Sequence, residues 1–198
     1  ASLFHFKSNK RYIEELKTKK VINDYDSEKF YINYQKYKKE SLKNFSAIIK
    51  NLNLEENYTI SIRPHPSENI LLLTKFLKDN GIDTNKININ NDIDLHSQIL
   101  SSDYIVHDYC TTGLESALMN KPTLYFKNPL FKKLNIPIDP YICSMSFANY
   151  DQFQALLKKC KKKSKNFSYR SNAKKQIKSK KIISTFNSAK IISSLINE

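Results

Sequence analysis

The segment from Tyr104 to Phe126, YIVHDYCTTGLESALMNKPTLYF, constrains the fold more than any other part of the chain, because it reads as strand, polar turn, helix, turn and strand. Its first turn carries His107, Asp108, Cys110, Thr111 and Thr112, and Gly113 opens the helix. Hydroxyls and backbone N–H groups then converge where a helix dipole attracts an anion. The guest such a corner suits is a phosphate.

A second corner lies upstream in ISIRPHPSEN, Ile60 to Asn69. A β-rich run ends there in Arg63, Pro64, His65 and Pro66, and two prolines within three residues can continue neither a central strand nor a helix. The chain must leave the sheet, with Ser67 and Glu68 expected to cap a helix running to about Asp79. Arg63 and His65 then sit at the carboxyl end of a strand, the edge at which open parallel sheets bind ligands.

Apolar residues from Ser27 to Leu52 recur at amphipathic spacing and predict a long helix before the first strand, Tyr58 to Arg63. Asn80 and Gly81 mark a turn, Lys86 to Ile89 a short strand, and Asp94 to Ser101 a short helix capped by an acid. Strands at Tyr104 to Val106 and Thr123 to Phe126 flank a helix from Thr112 to Asn120. Pro129, Pro137 and Pro140 break the following segment into loops, and helices are expected over Tyr150 to Lys163 and Ala173 to Ile196. Strands alternating with helices predict an α/β fold, a Rossmann-like parallel sheet flanked by helices. The expected division is a helical lead-in over 1–57, a Rossmann-like core over 58–150, and basic C-terminal helices over 151–198 packed on the same domain, with a single main core.

Composition narrows the class. No apolar run approaches the roughly 20 residues that cross a bilayer, and no signal peptide is recognisable, so a soluble cytoplasmic protein is expected; the absent initiating Met suggests a truncated or processed chain. Cys110, Cys143 and Cys160 are odd in number and widely spaced, which argues against a disulfide framework and for a reducing compartment. The spacing of His107 and Cys110 could suggest zinc, but no second pair stands at metal-site spacing and no paired-carboxylate motif is present, so no metal is expected. The net charge of +14 is concentrated at the end: from Gln152 onward 13 basic residues face Glu198 alone. Such a tail fits contact with an anionic membrane or polyanion, or simply a solvated helix face. Lysine in place of arginine and the lack of interleaved aromatics argue against nucleic acid.

The ordered pair RPHPSEN and HDYCTTGLESALMNKPTLYF resembles the bacterial surface carbohydrate biosynthesis proteins, relatives of the capsule and lipopolysaccharide Kdo transferases. The similarity spans roughly Tyr31 to Phe126. It implies a GT-B architecture, of which these residues would be the C-terminal, donor-binding lobe, the acceptor lobe having no counterpart in this sequence. It further implies that His65 and Pro66 border the donor's nucleotide and phosphate, that Thr111 and Thr112 are the hydroxyl residues of the phosphate loop, and that Glu115 accepts hydrogen bonds from ribose. Asp108 and Tyr109 depart from the Asn-Gly often found in the family's turn. The function so implied is glycosyl transfer from a nucleotide sugar, such as CMP-Kdo, to a glycan or glycolipid acceptor at the inner face of the cytoplasmic membrane, without a further cofactor.

Each residue also has a plainer role. Arg63 can pair with a carboxylate at the sheet edge, and His107 with a neighbouring carbonyl. Asp108 is unfavourable beside phosphate without a compensating cation. Cys110 fits a small residue in a tight turn better than a nucleophile paired with His107. Thr111, Thr112 and Gly113 can cap a helix. The nucleotide-sugar site expected from the sequence is therefore Arg63, His65, Pro66, His107, Thr111, Thr112, Gly113 and Glu115, with no catalytic base assigned. Two rival functions remain at this stage: a non-catalytic module that binds polysaccharide or a membrane surface, and a nucleotide-sugar epimerase of similar two-lobed shape.

Overall fold

The computed structural model describes residues 9–55, 57–65, 68–108, 110–130, 142–162 and 168–180. Pro66, Ser67 and Tyr109 lie outside the described residues, as does the helix expected beyond position 180. The fold is mixed α/β with parallel strands, as the alternation predicts. Its strands, however, form two small sheets, and the chain separates into two compact units, one built from residues up to Ile93 with the segment from Asn128, the other from Asp94–Lys127 with the C-terminal part.

In the first unit α1 (Asn9–Thr18) precedes α2 (Tyr25–Leu54). Helix α2 starts at a capping box: the Asp24 carboxylate accepts from Ser27 N–H at 2.7 Å, and the Ser27 hydroxyl accepts in turn from Asp24 N–H at 3.2 Å. Asp26 and Glu28 in its first turn suit the positive end of the helix dipole. Strands β1 (Ile60–Ile62) and β2 (Ile87–Ile89) pair in parallel, with Ile60 opposite Ile87 and Ile62 opposite Ile89. Leu73 and Leu77 of α3 (Ile70–Asp79) pack with Ile82 and Ile87, and Leu42 and Ile49 of α2 close the cluster. Helix α3 is capped by Asn69, whose side-chain oxygen accepts from Leu72 N–H at 3.1 Å, rather than by the expected Glu68. Glu68 instead turns back to accept from His65 N–H at 2.9 Å. The chain leaves α3 through Gly81 at φ +73°, a conformation glycine adopts without penalty. A buried Asn128 fastens the returning segment, donating to the Tyr37 carbonyl at 3.0 Å and the Ser41 hydroxyl at 2.9 Å while accepting from Leu130 N–H at 2.9 Å.

In the second unit α4 (Leu95–Ser101) leads into β3 (Ile105–His107), α5 (Thr112–Leu118), β4 (Thr123–Phe126), β5 (Met145–Phe147), α6 (Tyr150–Lys162) and α7 (Tyr169–Lys180). The strands form a parallel sheet in the order β3-β4-β5, with His107 opposite Tyr125 and Tyr125 opposite Ser146. Central β4 is buried along its whole length, as a strand covered on both faces must be. One face carries a ladder of rings, Phe126, Phe147 and Phe153, the last from α6, with centroids 5.8 and 5.1 Å apart. Leu114, Ala117 and Leu118 of α5 pack with Cys143 and with Ala173 of α7. Burial of a Cys143 side chain in this apolar cluster pushes its thiol pKa up to about 11. Strand β5 falls in a stretch the sequence reads as loop; α7 begins earlier than the apolar spacing predicts, its first turn seated on Asn120, which accepts from Arg170 N–H at 3.2 Å. Among the described residues no helix is long and apolar enough to cross a membrane.

Candidate functional site

The corner after β3 is built by a short helix that has almost no free surface. Of the residues in α5, Gly113, Leu114, Ser116, Ala117 and Leu118 are buried, which leaves Thr112 and Glu115 as the part-exposed members, with Thr111 beside them at the N-cap. Thr112 and Glu115 are three positions apart and so share one side of the helix. Thr112 and Glu115 are thus the members of α5 with access to solvent, whereas Leu114, Ala117 and Leu118 make the core.

The first turn is already hydrogen-bonded. Gly113 N–H donates to the Cys110 carbonyl at 3.1 Å, and Leu114 N–H donates to the Thr111 carbonyl at 2.9 Å, so the sequence-expected Gly113 contributes through backbone shape and not through an open N–H. The Thr111 hydroxyl makes no capping bond. The Thr112 hydroxyl and N–H, with Gly113 N–H, act to lower the pKa of the Cys110 thiol. Burial outweighs these donors, and with Asp108 nearby it holds the Cys110 thiol above its ordinary pKa. Cys110 is accordingly a neutral thiol; a thiolate nucleophile would need the opposite shift.

His107 lies deeper than a position at the end of a strand suggests. Its ring is 4% exposed, tilts against Tyr125 with centroids 5.6 Å apart, and shares a 2.8 Å hydrogen bond between Nε2 and the Ser144 hydroxyl. Nδ1 is buried with no hydrogen-bond partner among the described residues. Desolvation lowers the pKa to about 3, so the imidazole is neutral at any physiological pH. It brings no positive charge to the corner.

Glu115 acquires a partner that nothing in the sequence announces. Its carboxylate, with the side chain 14% exposed, lies 3.4 Å from Nε2 of His96, whose side chain is 50% exposed. His96 is placed by α4, which Asp94 caps through a 3.0 Å bond from Ser97 N–H. The Asp94 carboxyl is held below its ordinary range by the Ser97 donors first, with smaller contributions from the backbone and charge of His96.

The sequence-expected residues of the first unit form their own corner. Pro64 is buried and His65 exposed, as expected where the chain turns outward. Partial desolvation lowers the His65 pKa, against the Glu68 carboxylate, which acts to raise it. Neutral His65 is then a donor and acceptor of hydrogen bonds and not a cation. The Arg63 guanidinium donates from Nη1 to the Ile93 carbonyl, which gives it a role in holding the chain after β2.

Two residues of these environments, His96 and Ser144, escape sequence reasoning. Both are defined by partners distant in the chain, and Ser144 sits just before a strand too short to show periodicity. No curated protein and no solved structure matches the chain. A family model described as LIC12162 family transferase matches residues 14–149. With most of its length, including both corners, inside that match, the chain belongs to the LIC12162 family of transferases.

Proposed function

We propose that the chain is the donor-binding part of a glycosyltransferase that draws on a nucleotide sugar, a CMP-linked acidic sugar such as Kdo, for the assembly of capsule or lipopolysaccharide. The observation that carries this reading is the corner of the second unit, where a parallel strand feeds a helix whose accessible groups are hydroxyls and one carboxylate, Thr111, Thr112 and Glu115, in a chain of a transferase family. In this reading the two hydroxyls face the phosphate. They donate to its oxygens more strongly as the glycosidic bond breaks and charge gathers on the departing nucleotide. Glu115 accepts from ribose hydroxyls. Neutral His65, with Pro66, is proposed as a nucleotide contact in its own right, to be tested by its own variant.

A second reading is favoured by one observation. The C-terminal end of α6 exposes Lys158, Lys159, Lys161 and Lys162, and a cationic patch of this kind can bind an anionic polysaccharide or membrane surface without any catalysis. Calorimetric titration of the full chain with CMP, UDP and a sulfated polysaccharide separates the two. Saturable CMP binding that falls at least tenfold in Thr111→Ala/Thr112→Ala is the expected result. Binding of the polyanion alone, abolished by salt and by replacing the four lysines, would transfer the assignment to the second reading, and preference for UDP would redirect it to a different donor.

A further inference from the structure

Helix α6 turns its apolar residues to the core and leaves its cations outside. Phe153 and Leu157 are buried, the former against Phe147 of β5 with ring centroids 5.1 Å apart, and Leu156 and Cys160 are half-buried beside them. With about 3.6 residues per turn, Lys158, Lys159, Lys161 and Lys162 fall on the arc that this stripe leaves free, and all four are exposed. Lys158, Lys159 and Lys162 make no ion pair among the described residues. Asp151, the one acid of the helix, lies about two turns away at its other end. A helix dipole accounts for a cation in the last turn, but not for four on one arc. Beyond α6 the sequence keeps the same sign, with Glu198 the one acid after Asp151.

We infer that this arc is a docking surface for an anionic lipid bilayer. The inference rests on the second reading above and commits its cationic patch to one partner. The shape of the patch makes the choice. A convex row of ammonium groups, with no exposed aromatic residue in α6, has nothing to grip a sugar face or to stack a base. Lipid headgroups in a fluid leaflet diffuse until they lie beneath the charges, so the hydrated point charge of a lysine needs no fixed register. The apolar face of α6 is already in the core, and contact is therefore electrostatic, without insertion. Helix α6 covers β5, whereas the corner of the donor reading follows β3, with β4 between them. Docking and donor binding thus use different edges of the sheet.

The test is co-sedimentation of the full chain with phosphatidylcholine vesicles, made with and without phosphatidylglycerol, each variant first checked for an unchanged circular dichroism spectrum. A lysine close to an anionic surface strengthens binding about fivefold. Replacing Lys158, Lys159, Lys161 and Lys162 by glutamine should therefore weaken binding to the anionic vesicles at least about thirtyfold, and raised salt should release the wild type. The control replaces Lys29, Lys36, Lys39 and Lys43, four exposed lysines of α2, by glutamine; it removes the same charge and should lose less than about threefold. Equal losses in the two variants would reduce the effect to the net charge of the chain and overturn the inference, as would equal binding to the neutral vesicles. Binding to a sulfated polysaccharide but not to vesicles overturns it too and leaves the second reading standing. Binding to neither removes both.

Discussion

Acidification from pH 7 to pH 5 should cost the fold about 2 kcal/mol through His107 alone. The buried ring has a pKa of about 3 in the folded chain against 6.5 when exposed. Protons therefore bind the unfolded chain in preference between those two values. The contribution of the neutral ring is complete above pH 6.5, is lost progressively as the pH falls, and levels off near pH 3. Below 6.5 the loss amounts to about 1.4 kcal/mol per pH unit, which gives about 2 kcal/mol by pH 5. Urea unfolding followed by far-ultraviolet circular dichroism at pH 7, 6 and 5 measures this directly. The comparison chain is His107→Gln, which keeps a group able to hydrogen-bond Ser144 and cannot titrate in the range. Its pH-dependent loss should be smaller than that of the wild type by the same 2 kcal/mol or so. His65, whose pKa is also lowered, contributes in the same sense to both chains and cancels. Equal losses in the two chains would mean that His107 is not held neutral by burial, and the description of the corner behind β3 would have to be redrawn.

Other outcomes follow from particular contacts. Asn128→Ala removes one acceptor and two donated bonds from a site where Ser41 is fully buried, and should destabilise the first unit by about 3 kcal/mol. A loss under about 0.5 kcal/mol in urea titration would show that solvent reaches these groups. Cys110 and Cys143, both with thiols held above their ordinary pKa, should be alkylated by iodoacetamide at pH 7.5 at least about tenfold more slowly than free cysteine. Peptide mass spectrometry after timed quenching reads the rates, and a Cys110 that reacts faster than free cysteine would restore it as a candidate nucleophile.

The elements legible in the sequence are those whose signals are local. Helix α4 declared itself through Asp94, and α2 through its apolar spacing, because caps and periodicity act within a few residues. The cap of α3 is Asn69 and not the expected Glu68, because Glu68 bonds back to His65 N–H and leaves the helix start to Asn69. Strand β5, three residues long and preceded by Pro137 and Pro140, is too short for alternation to mark it. The same brevity hid the division of the strands into two sheets, since the alternation in Ile60–Ile62 and Ile87–Ile89 says that each is half-buried but not which neighbour it will find. In the candidate site, Thr111, Thr112 and Glu115 could be located from their place after a strand and at a helix start. That His107 would bury its ring against Tyr125 and Ser144, and that His96 would meet Glu115, depended on tertiary packing, which no local pattern encodes.

The claim on which the functional account depends is that a nucleotide phosphate and ribose occupy the corner between β3 and α5. It is tested most directly by titrating CMP into the isotope-labelled full chain and following backbone amide resonances. Saturable shifts at Thr111, Thr112 and Glu115, with one dissociation constant common to all three, are predicted. Shifts that never saturate, or that are confined to Lys158, Lys159, Lys161 and Lys162, would contradict the account.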